Sequence, residues 1–96
     1  MTSFDLEFHV LALKEWQKLD QSVREQFKKH LEKRITNPRV ASAKLSGQLS
    51  NFYKIKLRTL GYRLVYEVID QRMVILVIAV GKRNQNQVYL QAAKRR

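Results

Sequence analysis

Three strand-like runs in the second half of the chain, with only three residues between one run and the next, constrain the fold most strongly. The runs cover residues 52–58, 62–69 and 73–80. Gaps of this length are typical of hairpins between antiparallel strands, so the pattern predicts an antiparallel meander. Every residue of the third run is apolar, which indicates a central strand that is covered on both faces.

The first half of the chain predicts an edge strand and two helices that would cover this sheet. Residues 3–8 alternate polar and apolar side chains, which is the pattern of a half-buried strand. Apolar residues recur every three to four positions over 10–19 and every four positions over 23–35, so both segments predict amphipathic helices. A capping-box pattern at Ser22 is expected to start the second helix, and Pro38 is expected to end it.

A single domain over residues 1–96 is expected, because a chain of this length is short for two separate cores. Residues 87–95 contain apolar side chains at a spacing that predicts a short last helix. We therefore expect an α+β fold, in which two N-terminal helices and a short C-terminal helix accompany an antiparallel sheet.

The composition excludes several classes of protein. Cysteine is absent, which excludes disulfides, thiolate metal sites and a cysteine nucleophile, and which is compatible with a reducing compartment such as the cytoplasm. The N-terminus has no basic region followed by an apolar stretch, and the longest apolar run has eight residues. We therefore expect neither a signal peptide nor a membrane span.

A strong positive charge points to an anionic partner. The formal net charge is +11, and it is concentrated in residues 51–96, which hold ten basic and two acidic side chains. A field of this sign concentrates phosphates near the protein, so nucleic acid is the leading partner class. The alternatives are a solubility function or masking by an acidic protein.

The first strand of the meander carries a row of cations on one face. Lys54, Lys56 and Arg58 alternate with apolar residues, so they lie ~6.6 Å apart on the same side, at ~3.3 Å per residue. Arg63 in the next strand is expected on that side too. Because like charges repel, four converging cations favour an anion-binding site. The alternative is a solvated sheet face whose charges protect an edge.

Conventional nuclease groups are scarce in this sequence. The acidic residues show no metal-ligand spacing, and His9 and His30 fall in separate predicted elements, where each is expected to be a surface or packing residue. Any catalysis would then be metal-free and cation-rich, without a cofactor. RNA supplies its own nucleophile, the 2′-OH, and a lysine flanked by cations has a lowered pKa that makes the neutral amine accessible. Tyr89 follows a basic segment and is a candidate for stacking on a base.

The sequence resembles the RelE-type toxins of the RelE/ParE superfamily, which are ribosome-dependent mRNA endonucleases of bacterial toxin–antitoxin pairs. The resemblance spans nearly the whole chain and implies a microbial-ribonuclease-like fold. It is carried by the first-helix residues from Ala12 to Leu19, by Lys44-Leu45-Ser46-Gly47, by Tyr53-Lys54-Ile55-Lys56-Leu57-Arg58, by Gly61-Tyr62-Arg63-Leu64-Val65-Tyr66, and by Val80-Gly81-Lys82-Arg83 with Val88-Tyr89.

The resemblance implies roles for individual residues. Lys56 would activate the 2′-OH and Lys54 would hold the phosphate, although the assignment of the base among Lys54, Lys56 and Tyr89 stays open. Arg63 would stabilise the transition state, Arg83 would act near the leaving 5′-oxygen, and Tyr89 would stack on an mRNA base. The expected RNA-binding residues are Lys44, Arg58 and Lys82.

The resemblance also implies partners. These are mRNA in the A site of the small ribosomal subunit, with its rRNA, and an acidic antitoxin that wraps the toxin and represses their shared operon by binding operator DNA. One alternative is the ParE-like branch, which inhibits DNA gyrase without cutting nucleic acid, and another is a basic module that only binds phosphates. Codon preference and oligomeric state stay open.

Overall fold

The computed structural model describes residues 3–45, 51–84 and 87–95. The motif residues Ser46 and Gly47 lie outside the described residues. Four strands and three α-helices follow one another in the order β1, α1, α2, β2, β3, β4, α3. Their bounds are Asp5–Phe8 for β1, Val10–Gln17 for α1, Gln21–Arg34 for α2, Phe52–Leu57 for β2, Tyr62–Ile69 for β3, Val74–Lys82 for β4 and Gln87–Arg95 for α3.

The four strands form one sheet in the order β1-β4-β3-β2. The predicted meander is confirmed, because β3 is antiparallel to both β2 and β4. The expectation of a wholly antiparallel sheet is wrong for β1, which runs parallel to β4. Two helices and two strands separate β1 from β4 along the chain, and this long crossover lets the two strands run in the same direction. The sheet is therefore mixed, within the expected α+β fold.

Each face of the sheet carries its own hydrophobic core. On one face, Ala12 of α1 and Phe27 of α2 pack in a cluster with Ile55 and Leu64 of the sheet. On the other face, α3 packs with the sheet in a second, smaller cluster. The buried members of that cluster are Phe52, Val65, Ile78, Ala79, Val88 and Ala92. Strand β4 is thus central and covered on both sides, as its apolar sequence predicts.

The helix boundaries differ from expectation at one point. Helix α2 begins at Gln21, and Asp20 occupies the N-cap position with extended dihedral angles. The carbonyl of Asp20 accepts hydrogen bonds from the amides of Val23 and Arg24, each at 3.1 Å. Ser22 therefore lies inside the first turn, and the predicted capping box is wrong. The helix ends before Pro38, as expected.

The described helices are short relative to a membrane span. Helix α2, the longest of them, has 14 residues. Within the described part of the chain, no helix combines the length and the apolar character that crossing a bilayer requires.

Candidate active site

Strand pairing places two of the predicted site residues side by side. Lys56 of β2 is directly opposite Arg63 of β3, and Arg63 is opposite Gly81 of β4. Residues paired across antiparallel strands have their Cβ atoms about 4.5–5.5 Å apart on the same face. That face is the one covered by α3, since Val65 lies two residues beyond Arg63 and packs in the α3 cluster. The convergence predicted for Lys56 and Arg63 is therefore confirmed.

The β2–β3 hairpin brings Arg83 to the same place. Gly61 has a φ of 74°, a left-handed conformation that costs a glycine little, and its amide donates to the carbonyl of Leu57 at 2.7 Å. The carbonyl of Gly61 in turn accepts a hydrogen bond from the amide of Arg83 at 2.7 Å. The segment that leaves β4 is thus attached to the tip of the hairpin.

These elements enclose a cavity of about 230 Å³, which we call the cation cavity. Four of its lining residues are cationic. The lining residues are Lys56, Leu57, Arg58, Gly61, Tyr62, Arg63 and Arg83.

The crowding of positive charge changes the acid–base chemistry of Lys56. Lys54 lowers the pKa of Lys56 most strongly, followed by desolvation and by the charges of three arginines. The usual pKa of a lysine is ~10.4, so a larger fraction of Lys56 is neutral near physiological pH than for an isolated lysine. A neutral amine can accept a proton, which an ammonium cannot. Arginine stays charged at every physiological pH and is suited to binding a phosphate oxygen.

Tyr89 lies beside this cluster on α3. The guanidinium carbon of Arg63 is 5.4 Å from the centre of the Tyr89 ring, which is a cation–π arrangement. The Tyr89 hydroxyl is buried and has no hydrogen-bond partner among the described residues. Helix α3 lies close to the sheet here: a Cβ added at Gly81 would be 3.6 Å from Cγ2 of Val88, which is van der Waals contact. The structure therefore places the predicted stacking residue next to the predicted transition-state arginine.

Lys54 occupies the neighbouring row of the sheet, opposite Val65. Its side chain is half-buried, and it does not line the cation cavity. Its main-chain carbonyl accepts a hydrogen bond of 3.3 Å from Arg34 of α2, which also donates to the Tyr66 hydroxyl at 2.8 Å. Lys54 thus affects the cation cavity through its charge, which lowers the pKa of Lys56. Arg34 hydrogen-bonds to the backbone of β2 from the opposite side of the sheet.

Arg34 was not recognised from the sequence. It follows Phe27 by seven residues and Leu31 by three, and this spacing places it on the buried face of α2. A charged residue on a buried face normally has a specific partner. That mismatch between residue type and helical position is the signal that could have identified it.

Two predicted RNA-binding residues lie elsewhere. Lys44 pairs with Tyr53 in an isolated antiparallel bridge, so its side chain lies on the α1–α2 side of the sheet rather than beside Lys56. Lys82 is opposite Tyr62, on that same side, and lines a separate cavity that also includes Glu15. Only Arg58 of the three predicted RNA-binding residues lines the cation cavity.

The two histidines do not lie in the cation cavity. The Nδ1 atom of His9 accepts a hydrogen bond from the amide of Leu11 at 3.1 Å and caps α1, while His30 lies on α2. Within residues 3–45, 51–84 and 87–95, no three histidine, aspartate or glutamate side chains come together in a group that could hold a metal ion.

Comparison with known proteins identifies the family. The sequence profile described as "ParE toxin of type II toxin-antitoxin system, parDE" matches residues 6–87. The chain is 52% identical over 93 residues to a protein of Escherichia coli K12 named mRNA interferase toxin RelE, with 97% of each chain covered. It is 51% identical over 92 residues to a putative RelE-like toxin protein of Escherichia coli, with 96% of each covered. The chain therefore belongs to the RelE/ParE superfamily of toxins from type II toxin–antitoxin systems, which confirms the resemblance seen in its motifs.

Solved structures of relatives agree with this assignment. A double arginine-to-alanine variant of the E. coli toxin RelE, in the free state, has a TM-score of 0.89 with 50% identity, and 98% of each chain is covered. The toxin in the intact E. coli RelBE toxin–antitoxin complex has a TM-score of 0.81 with 51% identity, covering 86% of this chain and all of that one. The sequence matches thus show the family, and these structures show the fold.

Proposed function

We propose that this protein is an endoribonuclease toxin that cleaves mRNA in the ribosomal A site without a metal ion and thereby inhibits translation. The observation that carries the proposal is the cation cavity, in which Lys56, Arg63 and Arg83 converge and the pKa of Lys56 is lowered. The names of relatives about 52% identical to this chain, mRNA interferase toxin RelE and mRNA interferase RelE, support the same activity.

The chemistry requires an RNA substrate, because the 2′-OH of the ribose is the nucleophile. Neutral Nζ of Lys56 takes the proton of the 2′-OH, and the 2′-oxygen attacks the adjacent phosphorus. The bond from phosphorus to the 5′-oxygen then breaks, the 5′-oxygen takes up a proton from Arg83 or from water, and a 2′,3′-cyclic phosphate remains on the upstream fragment. Arg63 neutralises charge on the non-bridging oxygens and Arg83 acts at the leaving oxygen as an acid or a positive charge.

Other residues hold the substrate. Lys54 attracts the phosphate and keeps the pKa of Lys56 low. Arg58, Lys44 and Lys82 contribute phosphate attraction, with Arg58 the nearest of the three to the reacting group. Tyr89 stacks on a base, with the guanidinium carbon of Arg63 5.4 Å from the centre of its ring.

In this proposal the ribosome holds the reacting atoms of the mRNA in position, which the cavity alone does not do. Among the described residues, no histidine or carboxylate that could serve as the base lines the cavity, so the reaction depends on the 2′-OH, the phosphorus and the leaving oxygen being held in line. An mRNA codon in the A site is held in one conformation, whereas free RNA samples many. The proposal accordingly places the protein in the cytoplasm, with mRNA and the rRNA of the small subunit as partners.

A second proposed partner is a cognate antitoxin. Structures of relatives include the E. coli RelBE toxin–antitoxin complex, and the net charge of +11 favours an acidic protein. We propose that such an antitoxin covers this chain and that the complex binds operator DNA.

Translation in vitro followed by primer extension on the message tests the proposal. Discrete cuts within translated codons are expected, and they should disappear with Lys56→Met. The family profile is described by the name ParE, so inhibition without cuts would favour a ParE-like inhibitor of DNA gyrase, which a supercoiling assay would detect. Binding without inhibition of either process would leave a simple nucleic-acid-binding module.

A further inference from the structure

A second cavity adjoins the cation cavity at the open edge of the sheet. It has a volume of about 350 Å³ and shares Lys56, Leu57 and Arg58 with the cation cavity. Its remaining walls come from α2 and from the β2–β3 hairpin, and none of the residues expected to act in catalysis lies in them. The residues of these remaining walls are Gln26, His30, Thr59 and Leu60. We call it the α2 cavity.

The α2 cavity combines flat, apolar and hydrogen-bonding groups. Gln26 and His30 are one turn apart on α2, so they lie on the same face of the helix. Burial, together with the charges of Arg34 and Lys33, lowers the pKa of His30, so its imidazole is neutral at physiological pH and has one donor and one acceptor nitrogen. The Gln26 amide likewise has donors and an acceptor. Leu57 and Leu60 supply apolar surface, and Leu60 is 43% exposed.

These groups match a nucleobase better than a phosphate. A base is flat and apolar on its faces, and its edges carry donors and acceptors, which are the features that single-stranded RNA sites recognise. The volume is at the lower end of the ~300–1,000 Å³ range of small-molecule pockets. The hydrogen bonds found among residues 3–45, 51–84 and 87–95 include none that uses the side chain of Gln26 or His30.

The path between the two cavities fits a single RNA strand. Strand β2 is the outer strand of the sheet. Lys56 and Arg58 line both cavities, at an edge that no other strand of the described residues covers at these positions. Side chains two residues apart on a strand are ~6.6 Å apart, which is close to the spacing of successive phosphates. An RNA chain with one phosphate in the cation cavity would therefore bring a neighbouring base to the α2 cavity.

We propose that the α2 cavity binds the base of the nucleotide adjacent to the cleaved phosphate, and that His30 and Gln26 determine which base is preferred there. The inference rests on the proposed endoribonuclease function and adds a specificity-determining subsite to it. His30 stacks on or hydrogen-bonds to the base, and Gln26 reads its edge. Arg58 holds the phosphate between the two cavities.

The test measures single-turnover cleavage on ribosomes programmed with codons that differ at one position at a time. For His30→Ala and for Gln26→Ala, the ratio of rates between preferred and disfavoured bases should fall by about tenfold at one codon position and stay constant at the others. Lys29→Ala is the matched control, because Lys29 is exposed on α2 and lines neither cavity. His30→Phe separates stacking from hydrogen bonding. Unchanged circular dichroism verifies folding for each variant.

Unchanged base preference in both His30→Ala and Gln26→Ala would overturn the subsite while leaving the proposed cleavage intact. If the parent protein cleaves nothing, the proposed function fails, and the subsite is judged by binding alone. In that case the imidazole NMR signals of His30 are followed during titration with each of the four ribonucleoside monophosphates and with ribose 5-phosphate. Shifts caused by a nucleotide and not by ribose 5-phosphate would support base binding, and equal or absent shifts would overturn it.

Discussion

Replacing Arg83 with alanine tests the chemical step separately from substrate binding. The Arg83 amide is fixed at 2.7 Å from the Gly61 carbonyl, so its backbone position is set by the hairpin and should survive loss of the side chain. The substitution removes one of the four cations that line a cavity of about 230 Å³. Removing a single preorganised charge-stabilising donor costs about 10²–10³-fold in rate, or roughly 2.7–4 kcal/mol.

The assay is single-turnover cleavage at saturating ribosomes, with Arg58→Ala as the matched comparison. Both arginines are exposed and line the same cavity, so the two substitutions remove equal charge from the same region. Arg83→Ala should lower the saturated rate by at least about 10²-fold and change affinity for ribosomes little. Arg58→Ala should leave the saturated rate within about threefold. It should also reduce the slope of log affinity against log salt by about 0.7, as expected for one phosphate contact on a single strand.

The result that would refute this reasoning is near-parent cleavage by Arg83→Ala once ribosomes are saturating. Arg83 would then bind phosphate without acting on the leaving oxygen, and a phosphate-binding module would become the better interpretation. A large fall in the saturated rate for Arg58→Ala would show instead that the four cations act as one unit.

Four further predictions concern the substrate, metal ions, pH and stability. Cleavage of one message should be far slower without ribosomes than with ribosomes stalled with an empty A site, and equal rates would contradict the proposed platform. EDTA should not abolish single-turnover cleavage on preassembled, intact ribosomes, and activity restored by a trace divalent ion would contradict metal independence. Lys54→Met removes the largest cause of the lowered pKa of Lys56, so that pKa should rise and the increase of rate with pH should move to higher pH; an unmoved profile would argue against Lys56 as the base. Arg95→Met removes the two hydrogen bonds of 2.8 and 2.9 Å that Arg95 donates to the Glu15 carboxylate and leaves only the one from the Val80 amide at 3.2 Å among the described residues. It should lower the free energy of unfolding by about 2 kcal/mol in urea titration, since Arg95 is 10% and Glu15 31% exposed.

Local patterns were enough to predict the central part of the site. Alternation along β2 places Lys56 on one face, and the short hairpin sets the register that pairs it with Arg63. Both facts depend on residues within about ten positions of each other, so they can be read from one sequence. Helix α3 was predicted over its observed range for the same reason, because its apolar spacing is local.

Features that depend on distant contacts could not be predicted from the residues alone. The predicted meander already implies that β4 pairs with β3, but the hydrogen bond that holds Arg83 against Gly61 of the hairpin was not predictable from the residues. Only the family resemblance indicated that Arg83 belongs to the site. Strand β3 and strand β4 change register between Val65 and Tyr66, and this irregularity changes the alternation along β4. The face on which Lys82 lies is therefore not readable by counting from the start of that strand. The parallel pairing of β1 likewise depends on where a long crossover returns.

The distribution of ion pairs explains how a stable fold tolerates the cation cavity. The salt bridges among the described residues join Arg39 to Asp70, Arg72 to Glu7 and Arg95 to Glu15.

These three acidic residues stabilise arginines away from the cavity, and no carboxylate of the described residues lines the cavity itself. The cluster lies at an open edge of the sheet, where water screens the mutual repulsion of its charges. In the proposed reaction, a phosphate that enters the cavity displaces this water. It then interacts with positive charges that are already in position, and its negative charge offsets their mutual repulsion.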